Sequence, residues 1–204
     1  MIYFPKHRLL FTHISRTGGS TIRNYLLESL PDANEILGQH EPLASAIPIL
    51  SREFYRAYKF AFVRNPWERF VSWYALIGQS TGKLIADPVS EHWKGFDGFL
   101  ESWSSEMILI DGVSRPKHSQ WALLSDADGK LLTDDIGRFE SFEEDVLRIF
   151  KKIGINCSSL PKVNTSRHLH YSCYYSDFGR ELISNVFNDD VENFGYEFES
   201  ISIT

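Results

Sequence analysis

The sequence contains little cysteine, no excess of positive charge and no long apolar run. Two cysteines, Cys157 and Cys173, are too few for a disulfide scaffold, although one bridge between them is compatible with the sequence. A net charge of -6 argues against a general nucleic-acid-binding protein, which is usually basic. The N-terminus lacks the features of a secretory signal, and no apolar window is long enough to span a bilayer. We therefore expect a soluble protein of a reducing compartment such as the cytoplasm, a composition that a catalytic domain cut from a membrane-anchored parent would share.

The rest of the composition is that of an ordinary globular protein. Hydrophobic residues make up 43% of the 204 residues and charged residues 24%. These proportions are enough to form one hydrophobic core and a charged, soluble surface. The sequence shows no internal repeat, low-complexity tract or flexible linker. It therefore predicts a single domain over residues 1–204.

Short apolar runs alternate with helical patterns along the chain. Buried strands are predicted at 8–14, 59–63 and 135–139, and helices at 20–30, 65–78, 93–103, 141–155 and 176–187. Asn65 has the position of a helix N-cap, and Ser141 with Glu144 has the spacing of a capping box. This alternation predicts an α/β fold, with a central, mostly parallel sheet flanked by helices.

The segment "SRTGGST" (15–21) joins the first predicted strand to the first predicted helix. Gly18 and Gly19 allow a ligand to approach the backbone at the positive end of that helix. Further hydrogen-bond donors come from one charged side chain and three hydroxyls: Arg16, Thr17, Ser20 and Thr21. The lysine of the nucleotide-binding pattern G-x-x-x-x-G-K-[ST] is missing. The segment predicts a site for a different anion, and a plain glycine turn is the alternative.

A second candidate anion site lies in "FAFVRNPWERFVSWY" (60–74). Arg64 ends a predicted buried strand, at the sheet edge where α/β proteins bind ligands. A buried arginine needs a partner, since burying an unpaired charge is costly. Ser72 follows on the next helix. Considered separately, Arg64 could pair with an acidic side chain and Ser72 could have no role beyond the helix.

Together, the two segments resemble the phosphate-binding elements of sulfotransferases that use 3′-phosphoadenosine-5′-phosphosulfate (PAPS). The first resembles the 5′-phosphosulfate loop, and the second resembles the 3′-phosphate motif. The likeness is closest to carbohydrate sulfotransferases, including the heparan sulfate 2-O-sulfotransferase branch. It continues in "IGRFESFEEDVLRIFKKIGI" and "LPKVNTSRHLHYSCYYSDFGRELISNVFNDDVENFGYEF". The resemblance implies a P-loop-like domain that transfers the sulfuryl group of PAPS without a metal ion.

The resemblance also implies roles for individual residues. Arg16 and residues 17–21 would hold the 5′-phosphosulfate, and Arg16 would neutralise the leaving phosphate. The 3′-phosphate would be held by Arg64 and Ser72, and Arg167 would reach it or the adenosine. The acceptor would be a hydroxyl or amine of a carbohydrate or glycoconjugate, attacking in line as in phosphoryl transfer. One departure is Arg16 itself, because the cytosolic branch of the family has lysine there, with the same charge and different geometry.

The transfer also needs a general base to take the acceptor's proton. His40, in "GQHEP", is the main candidate, because histidine titrates near neutral pH. Glu41 and Glu35 are carboxylate alternatives, and His118 is a second-rank candidate. His13 is expected to be a strand histidine with its hydrogen bonds satisfied.

No metal site is predicted, because the pair His168 and His170 lacks an evident third ligand. Two other functions remain possible at this point: a P-loop kinase of a nucleotide or small molecule, and a non-catalytic module that binds PAPS or another anion. The missing loop lysine argues against the kinase. No nucleic-acid partner or membrane span is expected, and the sequence does not determine the oligomeric state.

Overall fold

A computed structural model describes residues 1–80, 95–104, 119–157 and 168–201. The chain divides into two compact units. The first consists of Met1–Arg64 with His118–Thr165, and the second of Asn65–Lys117 with Ser166–Thr204. The single domain over residues 1–204 stays a prediction.

The described residues form a mixed α/β structure. The strands are β1 Ile2–Phe4, β2 Leu9–Thr12, β3 Asn34–Glu35, β4 Tyr58–Val63 and β5 Asp135–Arg138. The helices are α1 Gly19–Ser29, α2 Ile47–Leu50, α3 Arg52–Arg56, α4 Pro66–Ser80, α5 Gly95–Ser104, α6 Gln120–Leu124, α7 Phe142–Lys152, α8 Asp177–Val186 and α9 Asn188–Phe194.

The sheet of the first unit has the order β3-β1-β2-β4-β5. Its longer pairings, β2 with β4 and β4 with β5, are parallel, whereas β1 pairs antiparallel with β2 and β3. This confirms the predicted α/β class with a mostly parallel sheet. Short β1 and β3 were not predicted, because they contain too few residues to show a periodic pattern.

Apolar side chains on both faces of the sheet form the core of the first unit. On one face, Phe11 and Phe60 pack with Ile22 of α1 and Ile149 of α7. On the other face, Tyr3, Leu10, Leu43 and Phe54 form a second cluster. Successive strand residues point to opposite faces, and covering both faces buries β2 completely. This burial explains why the strands read as continuous apolar runs.

The second unit is built around an aromatic core. Helix α4 begins after Asn65, whose Oδ1 accepts hydrogen bonds from the amides of Trp67 (3.1 Å) and Glu68 (3.4 Å), which confirms the predicted N-cap. Aromatic side chains of α4 are buried and pack against those of α5: Phe70, Trp73, Tyr74, Phe96 and Phe99. Helix α9 was not predicted as a separate element.

The predicted capping box at the start of α7 is wrong. The Ser141 hydroxyl makes no cap bond and instead donates to Oδ2 of Asp145 at 2.7 Å. The same carboxylate oxygen accepts from the Arg138 amide of β5 at 2.8 Å. The charged carboxylate one turn into the helix, rather than the first amides of α7, sets the orientation of the hydroxyl.

The described residues answer two questions that the sequence raises, one about a disulfide and one about membrane-spanning helices. Cys157 and Cys173 are both free thiols. Within the described ranges, no helix has the combination of length and apolar content that crossing a membrane requires.

Candidate functional site

Three parallel strands of the first unit end at the same edge of the sheet. Thr12 of β2 lies beside Ala61 of β4, and Val63 of β4 lies beside Arg138 of β5. The residues directly after these strand ends therefore lie at one edge: His13, Arg64 and Phe139. Such an edge is the usual ligand position in an α/β sheet.

The two glycines of the loop between β2 and α1 are packed too closely to carry side chains. Gly18 is the N-cap of α1 with φ at 79°, and a Cβ there would lie 2.5 Å from the Phe142 ring. A Cβ at Gly19 would overlap the ring of His13. The left-handed conformation of Gly18 is itself one that glycine adopts readily. Both contacts fix the loop backbone before any ligand binds.

Helix α1 begins without the groups that normally satisfy a helix N-terminus. No side chain caps it, and its first turn contains no acidic residue. The Thr17 hydroxyl does not face outward as a donor, because it donates to the Ile14 carbonyl at 2.9 Å and braces the loop. The Thr21 amide donates to the Gly18 carbonyl at 3.1 Å. The positive dipole and the outward-facing first amides of a helix favour a bound anion.

Arg64 contacts this loop, the Phe139 ring and the side chain of Gln120. Its Nη1 donates to the carbonyl oxygen of Arg16 at 3.2 Å. Its guanidinium carbon lies 3.9 Å from the centroid of the Phe139 ring, a cation–π contact. The side chain of buried Gln120 accepts from the Arg64 amide at 2.9 Å and donates to its carbonyl at 2.7 Å. These contacts fix the position of both the backbone and the guanidinium of Arg64.

The charges of Arg16 and Arg64 repel each other at this site. Burial and the neighbouring charge of Arg64 lower the pKa of Arg16 to about 10. Two like charges held close together are stabilised when an anion binds beside them. The loop, the helix end and both arginines thus form a positively charged site suited to phosphate or sulfate groups.

His40 is fixed by the main chain of residue 13. Its Nδ1 donates to the His13 carbonyl at 2.9 Å, and its own amide donates to the same oxygen at 3.2 Å. Because Nδ1 carries the proton, Nε2 is the nitrogen of the neutral ring that can accept one. His40 (φ 69°) and Arg16 (φ 65°) both adopt left-handed backbone conformations. Strain of this kind is typical of functional sites.

His13 differs from the expectation of a satisfied strand histidine. It lies one residue past β2, and its buried Nδ1 has no hydrogen-bond partner in the described part of the chain. Burial, with smaller contributions from nearby positive groups, lowers the pKa of His13 to about 3. His13 is therefore a neutral, buried imidazole, and the prediction about its hydrogen bonds is wrong.

Comparison with known proteins identifies the family. A model described as "Sulfotransferase family" matches residues 1–197. The chain belongs to the sulfotransferase family. An uncharacterized protein of Archaeoglobus fulgidus is 28% identical to it over 117 residues, which cover 55% of this chain and 80% of that protein. No solved structure matches the chain.

The structure describes most, but not all, of the site residues predicted for this sulfotransferase-family chain. Arg16, residues 17–21, His40 and Arg64 all lie in the first unit. Ser72 lies on α4 of the second unit with its side chain 0% exposed, and its part in a 3′-phosphate site stays a prediction. Arg167 and His118 lie outside the described residues.

The structure also describes the two carboxylates considered as alternative bases, and it bears on the prediction about a metal site. Glu35 forms an ion pair with Arg23, and Glu41 is exposed. Among the described residues, no group of histidine, cysteine and acidic side chains is arranged to hold a metal ion.

Sequence reasoning missed four residues that shape the site: His13, Gln120, Phe139 and Phe142. Each acts through a contact with a residue distant in the chain. Gln120 lies 56 positions from Arg64, so no local spacing relates the two. Only Phe139 could have been found from the sequence, because it lies at the end of a predicted strand, at the edge where α/β sheets bind ligands.

Proposed function

We propose that this member of the sulfotransferase family transfers the sulfuryl group of PAPS to a hydroxyl or amine of a carbohydrate or glycoconjugate. The observation that carries the proposal is the like-charge pair Arg16 and Arg64 beside the uncapped start of α1. Membership of the family supports sulfuryl transfer in general. The donor PAPS and the carbohydrate acceptor are the finer parts of the proposal.

Residues of the first unit would contact both the donor and the acceptor. Arg16 and the amides of residues 17–21 would bind the 5′-phosphosulfate. Arg64, with Ser72 and Arg167 as predicted partners, would bind the 3′-phosphate. The flat face of the Arg64 guanidinium stacks on the Phe139 ring. A guanidinium donates hydrogen bonds from its edge, so this stacking does not block them.

Sulfuryl transfer would proceed by in-line displacement. The acceptor oxygen or nitrogen attacks sulfur while the bond from sulfur to the phosphate oxygen breaks, releasing adenosine 3′,5′-bisphosphate. Nε2 of His40 takes the acceptor's proton, and Arg16 neutralises the charge that develops on the leaving phosphate. Positioning and charge neutralisation supply most of the rate enhancement in the analogous phosphoryl transfer.

Melting temperatures with three nucleotides test the donor site. Adenosine 3′,5′-bisphosphate should raise the melting temperature more than ADP or AMP at equal concentrations, because only this nucleotide carries a 3′-phosphate. Arg64→Ala should remove this preference. The matched control is Arg148→Ala, which removes an arginine of the same unit outside the site and should keep the preference. Equal shifts for the three nucleotides in the wild type would contradict a 3′-phosphate site.

Turnover with labelled PAPS and a panel of sugar, lipid and peptide acceptors tests the transfer itself. We expect label to appear on carbohydrate acceptors. Transfer only to lipid or peptide acceptors would contradict the acceptor class and leave the donor intact. Binding of adenosine 3′,5′-bisphosphate with no turnover on any acceptor would instead indicate a non-catalytic binding module, and Mg²⁺-dependent transfer from ATP would indicate a kinase.

A further inference from the structure

We infer that His13 is a positioning residue for His40: its buried ring holds the imidazole of His40 in one orientation beside the glycine loop. The inference rests on the proposed function, in which His40 is the base. It adds a residue that had been assigned no role in the reaction.

The rings of His13 and His40 are in direct contact. Their centroids lie 4.9 Å apart with the ring planes at 68°, an edge-to-face arrangement. The hydrogen bond from Nδ1 of His40 to the His13 carbonyl fixes one end of the His40 ring. The His13 ring packs edge-to-face against the His40 ring and restricts its rotation about that hydrogen bond.

His13 is itself held on its other sides. It is 6% exposed, and its ring stacks on Phe11 with the centroids 6.1 Å apart. Its Cδ2–Nε2 edge lies where a side chain at Gly19 would stand. One rigid ring therefore touches both the glycine loop, which would hold the donor, and the base that would activate the acceptor. This contact sets the position of the base relative to the donor loop, on which in-line transfer depends.

His13 also has a suitable charge for this position. Positive charges act on it from His40, from the amino group of Met1 and from Arg23, and Arg23 is in turn paired with Glu35. With burial, they keep His13 neutral at physiological pH. A neutral ring does not repel His40 when His40 takes up a proton. A charged residue at position 13 would oppose that proton uptake.

Turnover of four variants tests the inference. His13→Leu removes the ring and should lower kcat by about tenfold, a larger change than the one in KM for PAPS. His13→Phe keeps the ring and should stay within about threefold of the wild type. Its melting temperature should not fall, because the buried nitrogen without a partner is removed. In the His40→Ala background, His13→Leu should cause no further loss, because His13 acts through His40.

Phe60→Leu is the matched control for loss of a buried ring. Phe60 is fully buried in the same core and contacts Phe11 rather than either histidine. This variant should lower the melting temperature as His13→Leu does and keep kcat. An equal loss of kcat in Phe60→Leu would overturn the inference, since general destabilisation would then explain the effect of His13→Leu.

Two other results would overturn the inference while the proposed function stands. One is near-normal kcat in His13→Leu together with slow turnover in His40→Ala. The other is the same fold-loss from His13→Leu with and without His40. Near-normal turnover in His40→Ala would instead remove His40 as the base and this inference with it.

Nuclear magnetic relaxation of the His40 ring carbons gives a readout that needs no donor or turnover. The ring should be rigid in the wild type and in His13→Phe, and mobile in His13→Leu. A rigid His40 ring in His13→Leu would overturn the inference even if the chain transfers no sulfuryl group.

Discussion

Helices α1 and α7 both follow strands of the parallel part of the sheet, yet their first turns carry opposite charge. The first turn of α7 contains Glu143, Glu144 and Asp145, whereas that of α1 contains no acidic residue and has no side-chain cap. The dipole of α7 is therefore balanced by its own side chains, whereas the start of α1 lacks such side chains, which is compatible with the proposed anion site.

An arginine just before α1, Arg16, and an arginine within α7, Arg148, also differ. Hydrogen bonds with Asp135 and then Asp145 raise the pKa of Arg148 above its ordinary value. Burial and the charge of Arg64 lower the pKa of Arg16. Arg148 gains stability from its carboxylate partners, whereas burial and a neighbouring like charge disfavour the charged form of Arg16. A perturbed pKa of this kind is common at functional sites and supports the proposed role of Arg16.

The largest expected effect comes from Arg16. Arg16→Ala should lower sulfuryl transfer by about 10²- to 10³-fold, as loss of a group that stabilises developing negative charge does. Its melting temperature should fall less than that of an Arg148 variant, because a repulsion is removed. Single-turnover kinetics and thermal melts measure both quantities. Arg16→Lys is the control that keeps the charge and should retain part of the rate, and near-normal transfer in Arg16→Ala would contradict the role.

A smaller effect is expected when acid protonates Asp135, which accepts hydrogen bonds from Arg148 and Lys152 of α7. Burial raises the pKa of Asp135, but hydrogen bonds from Lys152, Arg148 and Tyr58 outweigh burial and lower it to about 2, below its ordinary 3.8. The side chain is 9% exposed. The ionised form therefore stabilises the folded state above about pH 4, and about 2 kcal/mol should be lost as the pH falls toward 2.

Urea unfolding at pH 5 and at pH 2.5 measures this loss. Asp135→Asn should show a smaller decrease in the free energy of unfolding between the two pH values than the wild type. Asp128→Asn changes an exposed carboxylate and serves as the control with the wild-type decrease. An unchanged decrease in Asp135→Asn would contradict the assigned network.

The smallest effect is expected from Arg148→Met. The Arg148 side chain is 39% exposed, so solvent screens its ion pairs, and we expect a loss of only about 1 kcal/mol in the free energy of unfolding. Transfer per folded molecule should be unchanged at temperatures below the melting transition. A loss of transfer comparable to that of Arg16→Ala would remove the distinction between the two arginines.

Sequence patterns predicted those parts of the fold that depend on neighbouring residues. Strands β2 and β4 are apolar runs, and α4 begins at an asparagine cap whose amide partners lie two and three residues on. The capping box at Ser141 failed because the Ser141 hydroxyl donates to Asp145, which also accepts from the strand amide of Arg138. A local motif cannot predict which of several partners a carboxylate will take.

The candidate site was predicted in part for the same reason. The glycine loop and the arginine after β4 are each visible in a short segment. The contact of His40 with His13 joins residues 27 positions apart, and the closeness of Phe142 to Gly18 depends on how α7 packs on the sheet. Such contacts arise from tertiary packing, so spacing along the chain does not indicate them.

The oxygen that holds Nδ1 of His40 belongs to the peptide backbone at residue 13. Every amino acid supplies that oxygen, so no side-chain substitution there deletes it unless the backbone moves. Genetic drift at position 13 can therefore alter how firmly the His40 ring is held while preserving which of its nitrogens is protonated. Directed evolution at this position should yield graded activities rather than an all-or-none loss.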